Sequence, residues 1–272
     1  MTDAPRIAEP YRLVNARHGC MLVNANDIYV GRAILNYGEY GELEFQFLRQ
    51  LLVRPGMIVE IGANIGSHTV GLAKLGRRLV AFEPQPVVFQ NLCANLALNG
   101  LRNVRAWPWA CGERAEALYF APQDYAAVGN FGSVSLHGDA TDADIAVPAV
   151  RLADVLPPGP VALLKIDVEG MELDALKGAS QILASSHPVL YVENDRPEKS
   201  QALIEWLWQQ NYRLWWHTPP LFNPQNFFGV RENAYGNVAS FNMLCLPREQ
   251  ATPVEGLIEV NDATLHPLSR SG

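Results

Sequence analysis

From residue 57 to residue 193, short apolar runs alternate with stretches whose apolar residues recur every three to four positions. Residues 57–61, 78–82, 104–110, 161–166 and 189–193 read as strands, and residues 65–75, 85–99 and 171–183 as helices. The second helix carries Phe89, Leu92, Cys93 and Leu96 at helical spacing and stops at Gly100. Strands without polar alternation are buried on both faces, and helices of this length between them are the crossovers of a parallel sheet. The pattern predicts a doubly wound, Rossmann-like α/β fold.

The flanks have a different rhythm. Residues 20–35 alternate around Asn26-Asp27, which predicts a hairpin turning there. A helical run follows, with Leu43, Phe47, Leu48, Leu51 and Leu52 on one face, and Pro55-Gly56 ends it. Residues 111–159 hold strand-like pieces at 117–120 and 146–150 and a polar Gly-Ser loop at 129–135. A helix at 201–210, a strand at 212–217, a long loop rich in Pro, Asn and Phe, and a strand at 241–246 complete the pattern. This divides the chain into an N-terminal hairpin and helix that could cover a site (1–54), the α/β domain (55–247) and a tail (248–272).

The chain has 272 residues, 49% of them hydrophobic, which is ample for a core and excludes a disordered chain. Its formal net charge of −7 argues against a nucleic-acid backbone as partner. The first ten residues lack a leader pattern, and no apolar run is long enough to span a bilayer. Cys20, Cys93, Cys111 and Cys245 are scattered without C-x-x-C spacing, as reduced small hydrophobes would be. A cytoplasmic protein with no membrane or nucleic-acid partner is the expectation.

In open parallel sheets ligands bind beyond the carboxyl ends of the strands. After the first strand comes E-I-G-A-N-I-G, residues 60–66. There Gly62 permits a tight exit from the strand, and Gly66 lets the following helix begin close to the sheet and a ligand. After the second comes A-F-E-P, with Glu83 about 20 residues beyond Gly62, a spacing suited to a carboxylate on a ribose diol. A dinucleotide fingerprint needs a glycine where Asn64 stands. Glu60 would repel a pyrophosphate but suits a cationic amino group. These features favour S-adenosylmethionine over NAD as the nucleoside ligand.

These segments, with K-I-D-V-E-G-M-E at 165–172, Y-G-E-Y at 37–40 and Y-V-E-N at 191–194, resemble the FkbM-type family of S-adenosylmethionine-dependent methyltransferases. The resemblance spans roughly residues 30–247. It implies a seven-stranded methyltransferase sheet ending in an antiparallel hairpin, S-adenosyl-L-methionine as cofactor, and O-methylation of a sugar or natural-product-like small molecule.

Strand period two puts Lys165 and Asp167 on one side of the fourth strand, and the fifth ends in Glu193-Asn194-Asp195. Methyl transfer is an in-line displacement, so a protein must align the acceptor and take its proton. Asp167 is the first candidate for holding the methionine end or the acceptor, Glu193 the second, as base or clamp. His217, in a loop rich in aromatics and Asn, is a further candidate base. Cofactor binding falls to Glu60, Gly62, Asn64, Gly66, Glu83 and Asp167. No metal site is assigned, although Asp167, Glu193 and Asp195 carry the oxygens a hard cation prefers. A nicotinamide-dependent dehydrogenase and a catalytically idle S-adenosylmethionine-binding subunit stand as alternatives.

Overall fold

A computed structural model describes residues 7–250 and 254–270, with the side chain of Arg270 left out. Most of the first ten residues, read above for a leader pattern, and part of the tail therefore lie outside it. The chain opens with β1 (Tyr11–Ala16) and β2 (Gly19–Asn24), then α1 (Val30–Tyr37) and α2 (Glu42–Leu51). The alternating region runs β3 (Met57–Ile61), α3 (Thr69–Ala73), β4 (Leu79–Phe82), α4 (Pro86–Leu98) and β5 (Val104–Trp107). Next come β6 (Ala110–Cys111), β7 (Glu116–Phe120), β8 (Ile145–Val150) and α5 (Leu152–Val155). The second half holds β9 (Val161–Ile166), α6 (Glu172–Gly178), α7 (Ser180–Ser186), β10 (Val189–Glu193) and α8 (Pro197–Gln209). The chain closes with β11 (Tyr212–His217), β12 (Asn242–Pro247) and β13 (Ile258–Glu259).

The main sheet has the order β13-β11-β12-β10-β9-β3-β4-β5. Strands β10, β9, β3, β4 and β5 are parallel, and β12 runs antiparallel between β10 and β11. This is the doubly wound sheet with its antiparallel hairpin. The eighth strand is β13, two residues of the tail paired with Trp215 and Trp216 at the edge. Every residue of β3, β4 and β9 is buried. Val59, Ile61, Leu164 and Ile166 pack on one face under α6 and α8. Ile58, Leu79, Leu163 and Tyr191 pack on the other against Phe45, Leu48, Leu72 and Leu92. The path reverses between β3 and β9, so the switch-point crevice lies beyond Ile61 and Ile166.

Two local expectations are corrected. The hairpin does not turn at Asn26-Asp27: β2 pairs backward with β1, through Arg17 and His18. Asp27 instead starts a helix, its carboxylate accepting the N–H groups of Tyr29 (3.0 Å) and Gly31 (3.1 Å). Val30, Ala33, Ile34 and Tyr37 then bury one helical face. The expected 171–183 helix is two: α6 ends at Gly178, which packs against the Gly112 backbone, and α7 begins at Ser180 after the non-helical Ala179 (φ −96°, ψ 2°).

Helix α2 forms as expected, but with its buried face rotated. Glu42, Glu44, Phe45 and Leu48 are buried, while Leu43 and Phe47 are only half-buried. Two acids face inward because each meets a partner. The His18 Nε2 and Glu42 Oε2 atoms lie 2.6 Å apart, and Glu44 faces Lys165.

Candidate active site

A cleft of about 370 Å³ opens over the carboxyl ends of β3, β4, β9 and β10. Gly62, Asn64, Glu83, Asp167, Glu169, Glu193 and Asp195 form its floor. Tyr40 and Glu44 close one side, Asn130 and Gly132 of the Gly-Ser loop another, and Leu221 with residues 238–242 the far wall. Four consecutive strand ends and three long-range segments thus meet at one place.

The turn after β3 admits no side chain at its first position. Gly62 has a φ of +83°, and a Cβ there would lie 1.7 Å from the Asp167 carbonyl oxygen. Asn64 is left-handed at +50°, and its N–H donates to Glu83 Oε2 (3.0 Å). The Gln85 N–H donates to Glu83 Oε1 (2.9 Å). Glu83 therefore staples two loops together while lining the cleft. Burial pushes its carboxyl up to about 7 even though these N–H groups oppose the shift. Beside it an apolar arm is lined by Pro84, Trp109, Val134, Leu136 and Met171.

Two of the expected cofactor residues are placed behind this surface. Glu60 is buried, accepts a hydrogen bond from the Thr69 hydroxyl (2.7 Å) and does not line the cleft. Gly66 does not line it either: a Cβ there would meet Leu92 of α4 at 2.8 Å, so this glycine serves helix packing.

On the other side of the floor, Lys165 is fully buried and its Nζ lies 3.0 Å from Asp167 Oδ2. Burial favours the neutral amine, but Asp167, Glu60 and Glu44 outweigh it and hold Lys165 charged. Burial likewise pushes Asp167 up, and Lys165 outweighs it, holding that carboxyl below its usual range. Glu193 is driven the other way: burial and then the neighbouring Asp167 charge raise it well above the carboxylate range. Of the two facing carboxyls, Glu193 therefore holds its proton to the higher pH.

Glu169, left-handed at +53°, pairs with the Arg196 guanidinium at 2.5 Å. Burial, Asp167 and Asp195 lift it to about 7. Glu172 turns away and accepts the Gly170 N–H (2.9 Å), closing the turn into α6. Three polar atoms on the cleft-lining residues are buried without a hydrogen bond, Glu193 Oε2, Asp195 Oδ1 and Asn242 Nδ2, and of these Asp195 Oδ1 is ion-paired, 3.4 Å from Arg196 Nε. Buried polar atoms are normally paired, so unpaired ones on cleft-lining residues are candidates to meet a ligand.

His217 is not brought to the cleft. Its ring stacks on Phe47 at 4.1 Å, its Nδ1 stands 2.7 Å from the Tyr191 hydroxyl, and it lines a second cavity between α2 and the tail. Burial lowers its pKa to about 4. Most of the aromatic loop also lies elsewhere. Phe227 and Phe228 pack on Gly38 at the surface, while only Leu221 and residues 238–241 reach the cleft. Glu39 anchors this loop by accepting the Asn223 side-chain amide (2.8 Å) and the Phe227 N–H (2.9 Å).

The residues that sequence reasoning missed are Tyr40, Glu44, Ser240 and Asn242. One signal for Glu44 was available: it stands one turn before Leu48, at i+4, on the stripe that the helix buries. No helix among the described residues is long and apolar enough to cross a membrane. No group of three or more His, Cys, Asp or Glu residues among them is placed to hold a metal ion.

Residues 60–214, more than half of the chain, match the profile of the methyltransferase FkbM domain. Methyltransferase sdnD of Sordaria araneosa is 33% identical over 46% of this chain and 60% of its own length. The hexuronic acid methyltransferase AglP of Haloferax volcanii is 27% identical over 48% of this chain and 53% of its own. The chain thus spans about three fifths or less of these relatives. An FkbM methyltransferase structure from Methylobacillus flagellatus overlays 73% of this chain and 46% of its own, at 18% identity and a TM-score of 0.49. The chain belongs to the FkbM methyltransferase family.

Proposed function

We propose that the protein is an S-adenosylmethionine-dependent methyltransferase that methylates a hydroxyl group of a sugar- or natural-product-like small molecule. The observation that carries this reading is the convergence of Gly62, Glu83, Asp167 and Glu193 on one cleft containing unpartnered polar atoms. Family membership supports the methyltransferase class.

The residues present fit the cofactor. The side-chain-free turn at Gly62 allows close backbone approach, Glu83 suits the ribose hydroxyls, and the apolar arm beside it suits a purine. Asp167 would hold the amino group of the methionine end. When bound, S-adenosylmethionine supplies a methyl group activated by its sulfonium. The chain's own work is then to orient the acceptor and manage its proton. Glu193 Oε2, free of protein partners, would receive the acceptor hydroxyl. Burial and the Asp167 charge favour the protonated form of Glu193, and a cation arriving next to the pair favours its ionised, basic form. Lys165, fixed under Asp167, keeps that pair in place.

A dehydrogenase reading is disfavoured because no Lys, Arg or His stands among the described lining residues, so a pyrophosphate would face carboxyl groups alone. Isothermal titration with S-adenosylmethionine, S-adenosylhomocysteine and NAD tests the assignment. The two sulfur compounds should bind and NAD should not; binding of NAD alone would overturn it. Mass spectrometry of hydroxylated acceptors after incubation then separates an enzyme from an idle binding subunit.

A further inference from the structure

The cleft's charge carries a consequence for the acceptor, which rests on the methyltransferase reading. Six carboxyl groups line it, those of Glu44, Glu83, Asp167, Glu169, Glu193 and Asp195, and no described lining residue is basic. The two cations nearby do not line it and are already engaged, Lys165 with Asp167 at 3.0 Å, and Arg196 with Glu169 at 2.5 Å and with Asp195 at 3.4 Å. Glu83 belongs to the cofactor arm, where its oxygens take two backbone N–H groups. At the other end, Glu44 enters from α2, Asp195 from the end of β10 and Asn242 from β12, with Glu193 between them. The remaining wall there, from Leu221, Val238, Ala239 and Leu268, offers no cation.

We infer that the acceptor end of the cleft excludes anions: the acceptor is an uncharged or cationic hydroxylated molecule without carboxylate or phosphate, and Glu44 and Asp195 are the residues that set this selection. The acids alone would be weak grounds. The second observation is a pair of buried polar atoms without a hydrogen bond: Asn242 Nδ2, beside Glu44 on a residue only 3% exposed, supplies a donor, and Glu193 Oε2 supplies an acceptor. A hydroxyl, donor and acceptor at once, satisfies such a mixed set. A carboxylate satisfies only Asn242 and meets acids whose two cations are already shared among Glu44, Asp167, Glu169 and Asp195. The acceptor of this chain would thus differ in charge from a hexuronic acid, the substrate named for the relative AglP.

The test uses two ligands that differ in charge at the acceptor-facing position. Sinefungin carries an amine where S-adenosylhomocysteine has an uncharged sulfur. Isothermal titration of the full chain at pH 7.5 should show sinefungin binding at least tenfold tighter. Glu44→Gln should shrink that ratio at least threefold while moving S-adenosylhomocysteine little. Asp195→Asn, closer to solvent, serves as the second variant should the buried substitution impair folding. Equal affinities, or a ratio unchanged by both variants, would overturn the inference. If neither analogue binds, the methyltransferase reading itself fails, which is a separate outcome. As a second arm, methyl glucopyranoside and methyl glucuronoside compete for methyl transfer. Product from the neutral sugar alone is expected, and equal or preferred methylation of the uronoside would overturn the anion exclusion. If neither sugar accepts a methyl group, the analogue ratio decides.

Discussion

About 20 residues separate Gly62 from Glu83, which meet at the cofactor end of the cleft, whereas nearly 200 separate Glu44 from Asn242, which meet at the other. The first end is made of turns that follow consecutive parallel strands, so each functional residue has a place set by the strand before it. The second end is assembled from α2, the β10 terminus, the 218–241 loop and β12. Its residues are held by tertiary contacts such as Glu39 to Asn223. Backbone geometry dominates at one end and side-chain chemistry at the other. Variants should therefore fail in different ways.

The largest effect is expected at Gly62. Gly62→Ala puts a Cβ 1.7 Å from a carbonyl oxygen of the neighbouring loop at a φ of +83°, which no side-chain rotation can relieve. Cofactor affinity should fall more than about 100-fold, or the domain should not fold. Titration with S-adenosylmethionine checks this, and near-normal binding would show that the turn can shift without loss.

Glu193→Gln breaks the comparison from the other end. It keeps size and hydrogen bonding but removes the ionisable group. Cofactor affinity should stay within about threefold while turnover falls by about 10²–10⁴. A loss of binding as deep as that of Gly62→Ala would move Glu193 into the cofactor pocket instead.

What could be read in advance follows the same division. The sheet, the positions of Gly62 and Glu83 and the cluster at Asp167 and Glu193 were legible because buried parallel strands and their terminal turns leave local patterns. The α1 helix was not, because the Asn26-Asp27 pair suits a hairpin turn as well as a helix start, and only tertiary packing decides. Tyr40 and Asn242 were invisible for a different reason. Nothing local marks a half-buried tyrosine or a strand asparagine as facing a cleft.

Glu83→Ala should have an intermediate effect on both properties. Loss of a ribose hydrogen bond to a charged group costs about 1.5–3 kcal/mol of cofactor affinity. The N–H groups of Asn64 and Gln85 also lose their acceptor, which loosens the turn. The variant should change the pH profile as well. The folded carboxyl titrates at about 7, above its ordinary 4.5, so the native state holds an extra proton between those values. Its stabilising share is full below about pH 4.5 and is lost as pH rises through 7. The melting temperature of the free wild-type protein should thus decline between pH 5 and 8. Glu83→Ala should flatten part of that decline, leaving the share of Glu169, which also titrates at about 7.

The smallest catalytic effect is expected at His217, where the linkage has the opposite sign. Its Nδ1 is engaged with the Tyr191 hydroxyl, its ring lies on Phe47, and it stands outside the cleft. His217→Phe keeps an aromatic ring against Phe47 and should leave turnover within about threefold. A fall of about 100-fold would restore this residue as the base and shift Glu193 to a clamp. The cost should appear in stability instead, about 1–2 kcal/mol for leaving the Tyr191 hydroxyl without its partner. Burial lowers the imidazole to about 4 from an ordinary 6.5, so the unfolded chain binds the extra proton between those values. The stabilisation from neutral His217 is present above pH 6.5 and is lost as pH falls toward 4. Thermal melts of His217→Phe should therefore lose less stability than the wild type between pH 6.5 and 4.5, in a range where Glu83→Ala changes the slope in the other direction.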